Sequence, residues 1–248
     1  MKLLFALLFL AAVSIAGAEP VTIGSKRFTE SYVLGEIAKR ALENAGVSAE
    51  HRQGMGGTII LWEALRTGQI AAYPEYTGTI AEEILKNPEL TSLDTLRAAL
   101  AKSGVGISDE LGFNNTYALV MRREAAERLG IRTISDLRVH PQLKFGLTHE
   151  FLNRQDGWAP LAGRYGLAVP ELRGIDHGLG YAALSSGAID VKDAYSTDAK
   201  IAENDLVALE DDLGFFRNTK RCFSTSWMSI SVRSRHCRSS REPSTKHE

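Results

Sequence analysis

The sequence predicts an α/β protein whose sheets are mostly parallel and covered by helices, and three observations favour this class. Short apolar segments alternate with amphipathic helical segments from residue 21 to residue 209, the pattern of repeated βα units. Of the 248 residues, 44% are hydrophobic and 24% are charged, as in ordinary globular proteins. Both cysteines, Cys222 and Cys237, lie near the C-terminus, so the fold of the main body does not depend on disulfides.

The individual elements follow from local patterns. A short apolar run at 21–23 predicts a strand, and the helix after it ends at Gly46, as a C-terminal glycine indicates. A strand at 48–53 leads through a glycine-rich turn into a helix that Thr58 is expected to cap. Further strands are predicted at 70–73, 105–107, 116–121, 144–147, 189–195 and 206–209, and helices at 78–86, 92–102, 123–129, 135–139, 158–166, 178–187 and 197–203.

Ligands of such sheets bind at the carboxyl ends of the strands, where loops and helix N-termini converge. Four turns stand at predicted strand-to-helix transitions, at 24–29, 54–58, 74–79 and 148–157. We therefore expect the functional residues in these turns.

The first 18 residues are typical of a secretory signal peptide. Lys2 precedes an almost unbroken apolar run at 3–15, and the small residues at 16–18 provide a cleavage site. A membrane anchor is the alternative, but the run is short for a spanning helix. We expect a soluble periplasmic protein.

Charge and motifs exclude several classes. The chain has 29 Lys+Arg and 30 Asp+Glu; eight of the basic and two of the acidic residues lie at 217–248, which leaves 21 basic and 28 acidic residues in 1–216, a net charge of −7. This body is a poor nucleic-acid binder. The sequence contains no phosphate loop, nucleophile elbow or zinc helix, and its six histidines lack metal-ligand spacing. Glu75 and Asp193 are conceivable acid/base groups, yet nothing in their spacing selects them. We therefore expect that the protein is not an enzyme and that it binds no cofactor or metal ion.

Four segments stand at predicted strand ends: Gly-Ser-Lys-Arg-Phe-Thr-Glu at 24–30, Gly-Gly-Thr at 56–58, Tyr-Pro-Glu-Tyr-Thr-Gly-Thr at 73–79 and Asp-Val-Lys-Asp-Ala-Tyr-Ser-Thr-Asp at 190–198. In this order and spacing they resemble the osmoprotectant-binding proteins of ABC importers, the glycine betaine/carnitine/choline-binding family. The resemblance covers residues 21–216. It implies a two-lobed type II periplasmic-binding-protein fold that closes on its ligand, with lobe 1 at 19–117, lobe 2 at 118–206 and a return crossing to lobe 1 at 207–216.

The resemblance also implies a binding site. A quaternary ammonium donates no hydrogen bond and is held by aromatic faces; the implied box uses Tyr76, Tyr117 and Tyr195. The ligand carboxylate would meet Lys26, Arg154 and the hydroxyl of Thr79. Without the family resemblance, each of these six residues is interpreted as an ordinary packing or surface residue. Arg154 in particular is then a partner for Glu150 on the surface of a helix.

Residues 217–248 depart from the family pattern. Relatives continue after the Phe-Phe pair with Pro-x-Tyr, which supplies a fourth box tyrosine, whereas Phe215 and Phe216 are followed here by a basic, serine-rich stretch without strand periodicity. One permitted set of codons, read one base earlier, restores a tyrosine at position 219. We interpret 217–248 as a frameshifted ending; a tail that grips nucleic acid or membrane is the alternative. The C-terminal part of lobe 1 would then be missing and a sheet edge exposed.

Taken together, the sequence predicts the periplasmic substrate-binding component of an ABC importer for quaternary-ammonium osmoprotectants of the glycine betaine type. It would act as a monomer, with the permease and its ATPase as separate chains. The alternatives are the same fold binding another small solute such as an amino acid, an exported hydrolase, and a sensor or scaffold without a transporter. Lys26 and Arg154 favour carboxylate-bearing betaines over choline.

Overall fold

The computed structural model describes residues 19–218 and 226–230, and strands alternate with helices along them. The described strands are β1 (Val21–Lys26), β2 (Ala49–Gly56), β3 (Ala72–Tyr76), β4 (Tyr117–Arg122), β5 (Phe145–Thr148), β6 (Leu172–Ile175), β7 (Val191–Tyr195), β8 (Leu206–Ala208) and β9 (Ser226–Ile230). The helices are α1 (Thr29–Asn44), α2 (Thr58–Arg66), α3 (Thr77–Thr79), α4 (Leu93–Ala101), α5 (Arg123–Leu129), α6 (His149–Asn153), α7 (Trp158–Tyr165), α8 (His177–Ser185), α9 (Lys200–Glu203) and α10 (Phe215–Asn218). A π-helical turn (Ile80–Ile84) extends α3, and a 3-10 helix covers Ser135–Val139. The predicted signal peptide lies outside the described residues.

The first sheet has the strand order β2-β1-β3-β9. β1 is parallel to both β2 and β3, as βα units require, whereas β9 runs antiparallel to β3 with Ile230 opposite Ala72. The expectation that the tail contains no strand and leaves a sheet edge exposed is wrong at this edge. Strand pairing uses backbone N–H and C=O groups, which a stretch without side-chain periodicity also supplies. The remainder of the tail lies outside the described residues.

The second sheet has the order β6-β5-β7-β4-β8. β5 is parallel to β6 and β7, but β4 is antiparallel to its neighbours β7 and β8. The mostly parallel pairing that we predicted therefore holds for strands joined through helices. β4 is the exception because it enters the sheet from the first lobe and not through a βαβ crossover.

Three local predictions differ from the structure. Residues 105–107 form no strand, although Val105 and Ile107 are buried in the first core. β6 escapes prediction because its four residues include the exposed Arg173 and Gly174 and show no apolar alternation. At 135–139 the helix is 3-10 and not α.

Each sheet has its own apolar core. The first core packs around Leu61, Tyr73, Leu96 and Leu100. The second packs around the fully buried set Leu119, Leu147, Phe151 and Leu161. Each lobe is thus stabilised independently, which leaves the contacts between the lobes free to serve function.

The segment at 207–216, predicted as the return crossing, packs against the second core through Leu209, Phe215 and Phe216. Asp211 fixes it there by accepting hydrogen bonds from the backbone N–H groups of both phenylalanines and from the hydroxyl of Tyr165. The chain therefore remains on the second lobe up to at least Phe216, and the domain boundaries stay a prediction. No helix within the described residues is long and apolar enough to cross a bilayer.

Candidate functional site

A cleft of about 440 Å³ lies where the carboxyl ends of β1 and β2 face those of β5 and β7. The four turns singled out from the sequence lead into helices here, as ligand sites of α/β sheets require. Three of the six predicted site residues line the cleft: Lys26, Arg154 and Tyr195.

The other three predicted residues lie next to these. The ring of Tyr76 is 5.6 Å from the Nζ atom of Lys26, and the ring of Tyr117 lies 5.0 Å from that of Tyr195, between centroids. The hydroxyl oxygen of Thr79 accepts a 3.4 Å hydrogen bond from Nη1 of Arg154. All six side chains are thus brought to one place from both lobes.

The aromatic rings form a connected cluster, and two rings that were not predicted as site residues, Phe28 and His177, contact Tyr195 directly. Phe28 lies 4.6 Å from Tyr195 and 6.4 Å from Tyr76, and His177 stacks on Tyr195 at 5.1 Å. Phe28 lies in the same sequence motif as Lys26, and this position could have identified it as a residue of the site. No sequence signal marked His177.

Burial raises the pKa of the hydroxyls of Tyr76, Tyr117 and Tyr195 well above the usual value, which keeps the rings neutral.

Lys26 is buried and paired. Its Nζ atom donates to Oε1 of Glu75 at 2.5 Å and to the hydroxyl of Thr58 at 2.9 Å. Burial raises the pKa of Glu75, although the charge of Lys26 opposes the rise. Glu75 therefore serves as the counter-ion of Lys26, while Asp193 accepts hydrogen bonds from the backbone N–H and hydroxyl of Thr148 in the other lobe. The two carboxylates do not form an acid/base pair.

Arg154 is only 6% exposed, so the interpretation as a helix-surface partner of Glu150 is wrong. Its guanidinium donates two hydrogen bonds of 2.7 Å to the carboxylate of Asp156 and lies 5.6 Å from the ring centre of Tyr117. Although burial alone would lower it, the neighbouring Tyr117 and Asp156 raise the pKa of Arg154, which is permanently charged. The turn at 154–157 brings arginine and aspartate together locally.

Polar contacts join the lobes across the cleft. The hydroxyl of Thr58 donates to Glu150, and the hydroxyl of Thr197 donates to Glu30, which also accepts from the hydroxyl of Tyr76 within its own lobe. The expectation that Thr58 caps α2 is wrong: Gly57 precedes the helix, and the Thr58 side chain instead reaches the other lobe. These contacts hold the lobes together.

The comparison with protein families gives one match over nearly all of the described chain. Residues 19–229 match the substrate-binding domain of ABC-type glycine betaine transport systems. The chain belongs to this family.

Related proteins agree with this assignment to the glycine betaine-type binding domains. The "Ergothioneine transport permease/ergothioneine binding protein EgtU" of Helicobacter pylori (strain G27) is 37% identical over 81% of this chain, which spans only 37% of that protein. The "Carnitine transport binding protein OpuCC" of Listeria monocytogenes is 30% identical, with 86% of this chain and 74% of that protein covered. These relatives are binding proteins of transporters and not enzymes by name.

The three-dimensional fold also agrees with membership of this family. The crystal structure of a "glycine betaine/carnitine/choline ABC transporter" superposes with a TM-score of 0.61 at 28% identity, covering 85% of this chain and 79% of the other. The predicted family and the predicted two-lobed type II fold are thereby confirmed. In the part of the chain that the structure describes, no group of three or more His, Cys, Asp or Glu residues could hold a metal ion.

Proposed function

We propose that this binding domain captures a quaternary-ammonium osmoprotectant of the glycine betaine type and delivers it to an ABC importer. One observation carries the proposal: the cleft combines a cluster of neutral aromatic rings with two buried cations on opposite lobes, Lys26 and Arg154. A betaine has the complementary pair of ends, a trimethylammonium and a carboxylate.

The rings of Tyr76, Tyr117 and Tyr195 would hold the ammonium by cation–π attraction, each contact contributing about 0.5–2 kcal/mol. Burial supports this because cation–π attraction is strongest where water is excluded. The carboxylate would accept hydrogen bonds from Lys26, Arg154 and Thr79.

Binding and release would follow lobe closure. The contacts of Thr58 with Glu150 and of Thr79 with Arg154 cross the cleft, so they form only when the lobes are close. We further propose that the protein is exported to the periplasm and presents its ligand to a membrane permease whose ATPase is a separate chain. It carries out no chemistry itself.

The proposal is tested by thermal unfolding of the purified protein with and without ligand. Glycine betaine at a hundredfold excess over its dissociation constant adds about 2.7 kcal/mol of stability, which raises the midpoint. Carnitine, choline and ergothioneine complete the panel, because the family description and the names of the relatives point to such compounds.

Glycine is the matched control ligand, since it differs from glycine betaine only in its three N-methyl groups. A shift with glycine betaine or another quaternary ammonium but not with glycine supports the aromatic box. A shift with glycine or another amino acid alone favours the second candidate, the same fold binding an amino acid. A cooperative transition that no member of the panel shifts would refute the proposal.

A further inference from the structure

Glu150 is a carboxylate of the cleft wall whose neighbouring cations are each paired with another carboxylate. Lys26 is paired with Glu75 at 2.5 Å, and Arg154 with Asp156 at 2.7 Å. Within the described residues, Glu150 makes no ion pair within 4.0 Å, and it accepts hydrogen bonds from the hydroxyl and the backbone N–H of Thr58, both of which are neutral. The negative charge of Glu150 is therefore surplus.

This surplus charge lies between the basic and the aromatic halves of the site. Glu150 accepts from the hydroxyl of Thr58, which in turn accepts from Nζ of Lys26 at 2.9 Å. On the aromatic side, Glu150 lines the same cavity as Tyr195, and the adjacent Phe151 packs on Tyr117 with 4.8 Å between ring centres. A ligand that spans the two halves must pass close to this carboxylate.

Glu150 is ionised in this position. Burial alone would raise the pKa of its carboxyl, but the charge of Lys26 and the hydrogen bond from Thr58 lower it below the usual value. The negative charge of Glu150 also acts on the aromatic rings. The pKa of the Tyr117 hydroxyl is raised mainly by burial and, after burial, by this negative charge.

We propose that Glu150 determines which ligands the cleft accepts, by repelling a ligand carboxylate and accepting a hydrogen bond from a neutral hydroxyl end. The inference rests on the proposed function, since it assumes a quaternary-ammonium ligand. Like charges in a water-poor site repel strongly, and specificity commonly comes from such a repulsive group. Glu150 therefore reduces the advantage that Lys26 and Arg154 give to betaines, and keeps choline, which carries a hydroxyl, within the ligand range.

The test measures glycine betaine and choline affinities by isothermal titration calorimetry for the wild-type protein and for Glu150→Gln. The amide retains the size of the side chain and removes its charge. Glu63→Gln is the matched control, because Glu63 is an exposed carboxylate of α2 that lies outside the lining of the cleft. Glu150→Ala removes the same charge and replaces the glutamine variant if that variant does not fold.

The expected result is a glycine betaine affinity at least tenfold higher in Glu150→Gln, with choline unchanged or weaker, and both affinities within twofold of wild type in Glu63→Gln. Unchanged or weaker glycine betaine binding in Glu150→Gln overturns the inference, as does an equal gain for both ligands. If the wild-type protein and both Glu150 variants bind neither compound, the proposed function fails and the inference falls with it.

Discussion

The buried pair of Lys26 and Glu75 offers the sharpest test of how the cleft is stabilised. The two side chains are 4% and 0% exposed and lie 2.5 Å apart. Lys26→Met keeps the unbranched stem of the side chain but removes the ammonium group, which leaves the Glu75 carboxylate buried without its counter-ion. Breaking a buried pair from one side costs about 3–5 kcal/mol. For a protein of this size, at about 2–4 °C per kcal/mol, the midpoint of thermal unfolding should fall by about 6–20 °C.

The loss should depend on pH in a definite direction. Because burial raises the pKa of Glu75 above its usual value of 4.5, the folded state takes up a proton at Glu75 more readily than the unfolded state. Stability from this group is therefore complete below pH 4.5 and is lost as the pH rises through the folded-state pKa. Lys26 opposes the rise, so Lys26→Met should be far more damaging near pH 8 than near pH 5.

The assay is urea unfolding followed by circular dichroism for wild type, Lys26→Met, Glu75→Gln and the double variant, each near pH 5 and near pH 8. The double variant should be more stable than the sum of the single losses predicts, by up to about 3 kcal/mol, because it leaves no unpaired charge. Strict additivity, or a Lys26→Met loss that is independent of pH, would refute the assignment of a coupled buried pair.

Three further predictions concern the ligand and its support. Arg154→Ala should weaken glycine betaine binding at least tenfold in calorimetry, about 1.4 kcal/mol; unchanged affinity would remove Arg154 from the carboxylate site. Tyr195→Ala should cost a similar amount, whereas Tyr195→Phe, which keeps the aromatic face, should bind within about threefold of wild type; equal losses would contradict a cation–π role. Gly157→Ala should destabilise by about 1–3 kcal/mol, since its Cβ would lie 2.1 Å from the carbonyl oxygen of Phe151. In contrast, Gly163→Ala lies inside α7, the helix that Gly157 precedes; its Cβ meets nothing within 4 Å, and it should be neutral or stabilising when both variants are compared by thermal unfolding.

The sequence predicted the sheet elements best where the apolar pattern was continuous. β5 and β7 lie within one or two residues of their predicted bounds, because both are buried on two sides and read as apolar runs. β6 was missed because an edge strand needs no apolar alternation. Residues 105–107 show the reverse: burial alone makes a run apolar, so an apolar run does not by itself prove a strand.

For the site, the motifs located the side chains but not their partners. Tyr76 and Tyr195 stand at the carboxyl ends of β3 and β7, a position that the order of βα units fixes, and Tyr117 starts the antiparallel strand β4 directly opposite Tyr195. His177 stands at the start of α8, where no local pattern distinguishes a cleft residue from a surface one. Its position depends on how α8 packs beside β7, which is a property of the whole lobe.

The charges show most clearly what a motif leaves out. The family resemblance led us to expect a ligand carboxylate at Lys26 and Arg154, yet in the structure each is already paired with a carboxylate of the protein, Glu75 and Asp156. Among the described residues, two of the three Nζ donors of Lys26 and three of the five guanidinium donors of Arg154 make hydrogen bonds. A ligand carboxylate would therefore bind to the remaining N–H groups of two neutralised pairs and not to two bare positive charges. Under the proposed function, the geometry of these donors, together with the charge of Glu150, would decide which quaternary ammonium compound the cleft holds.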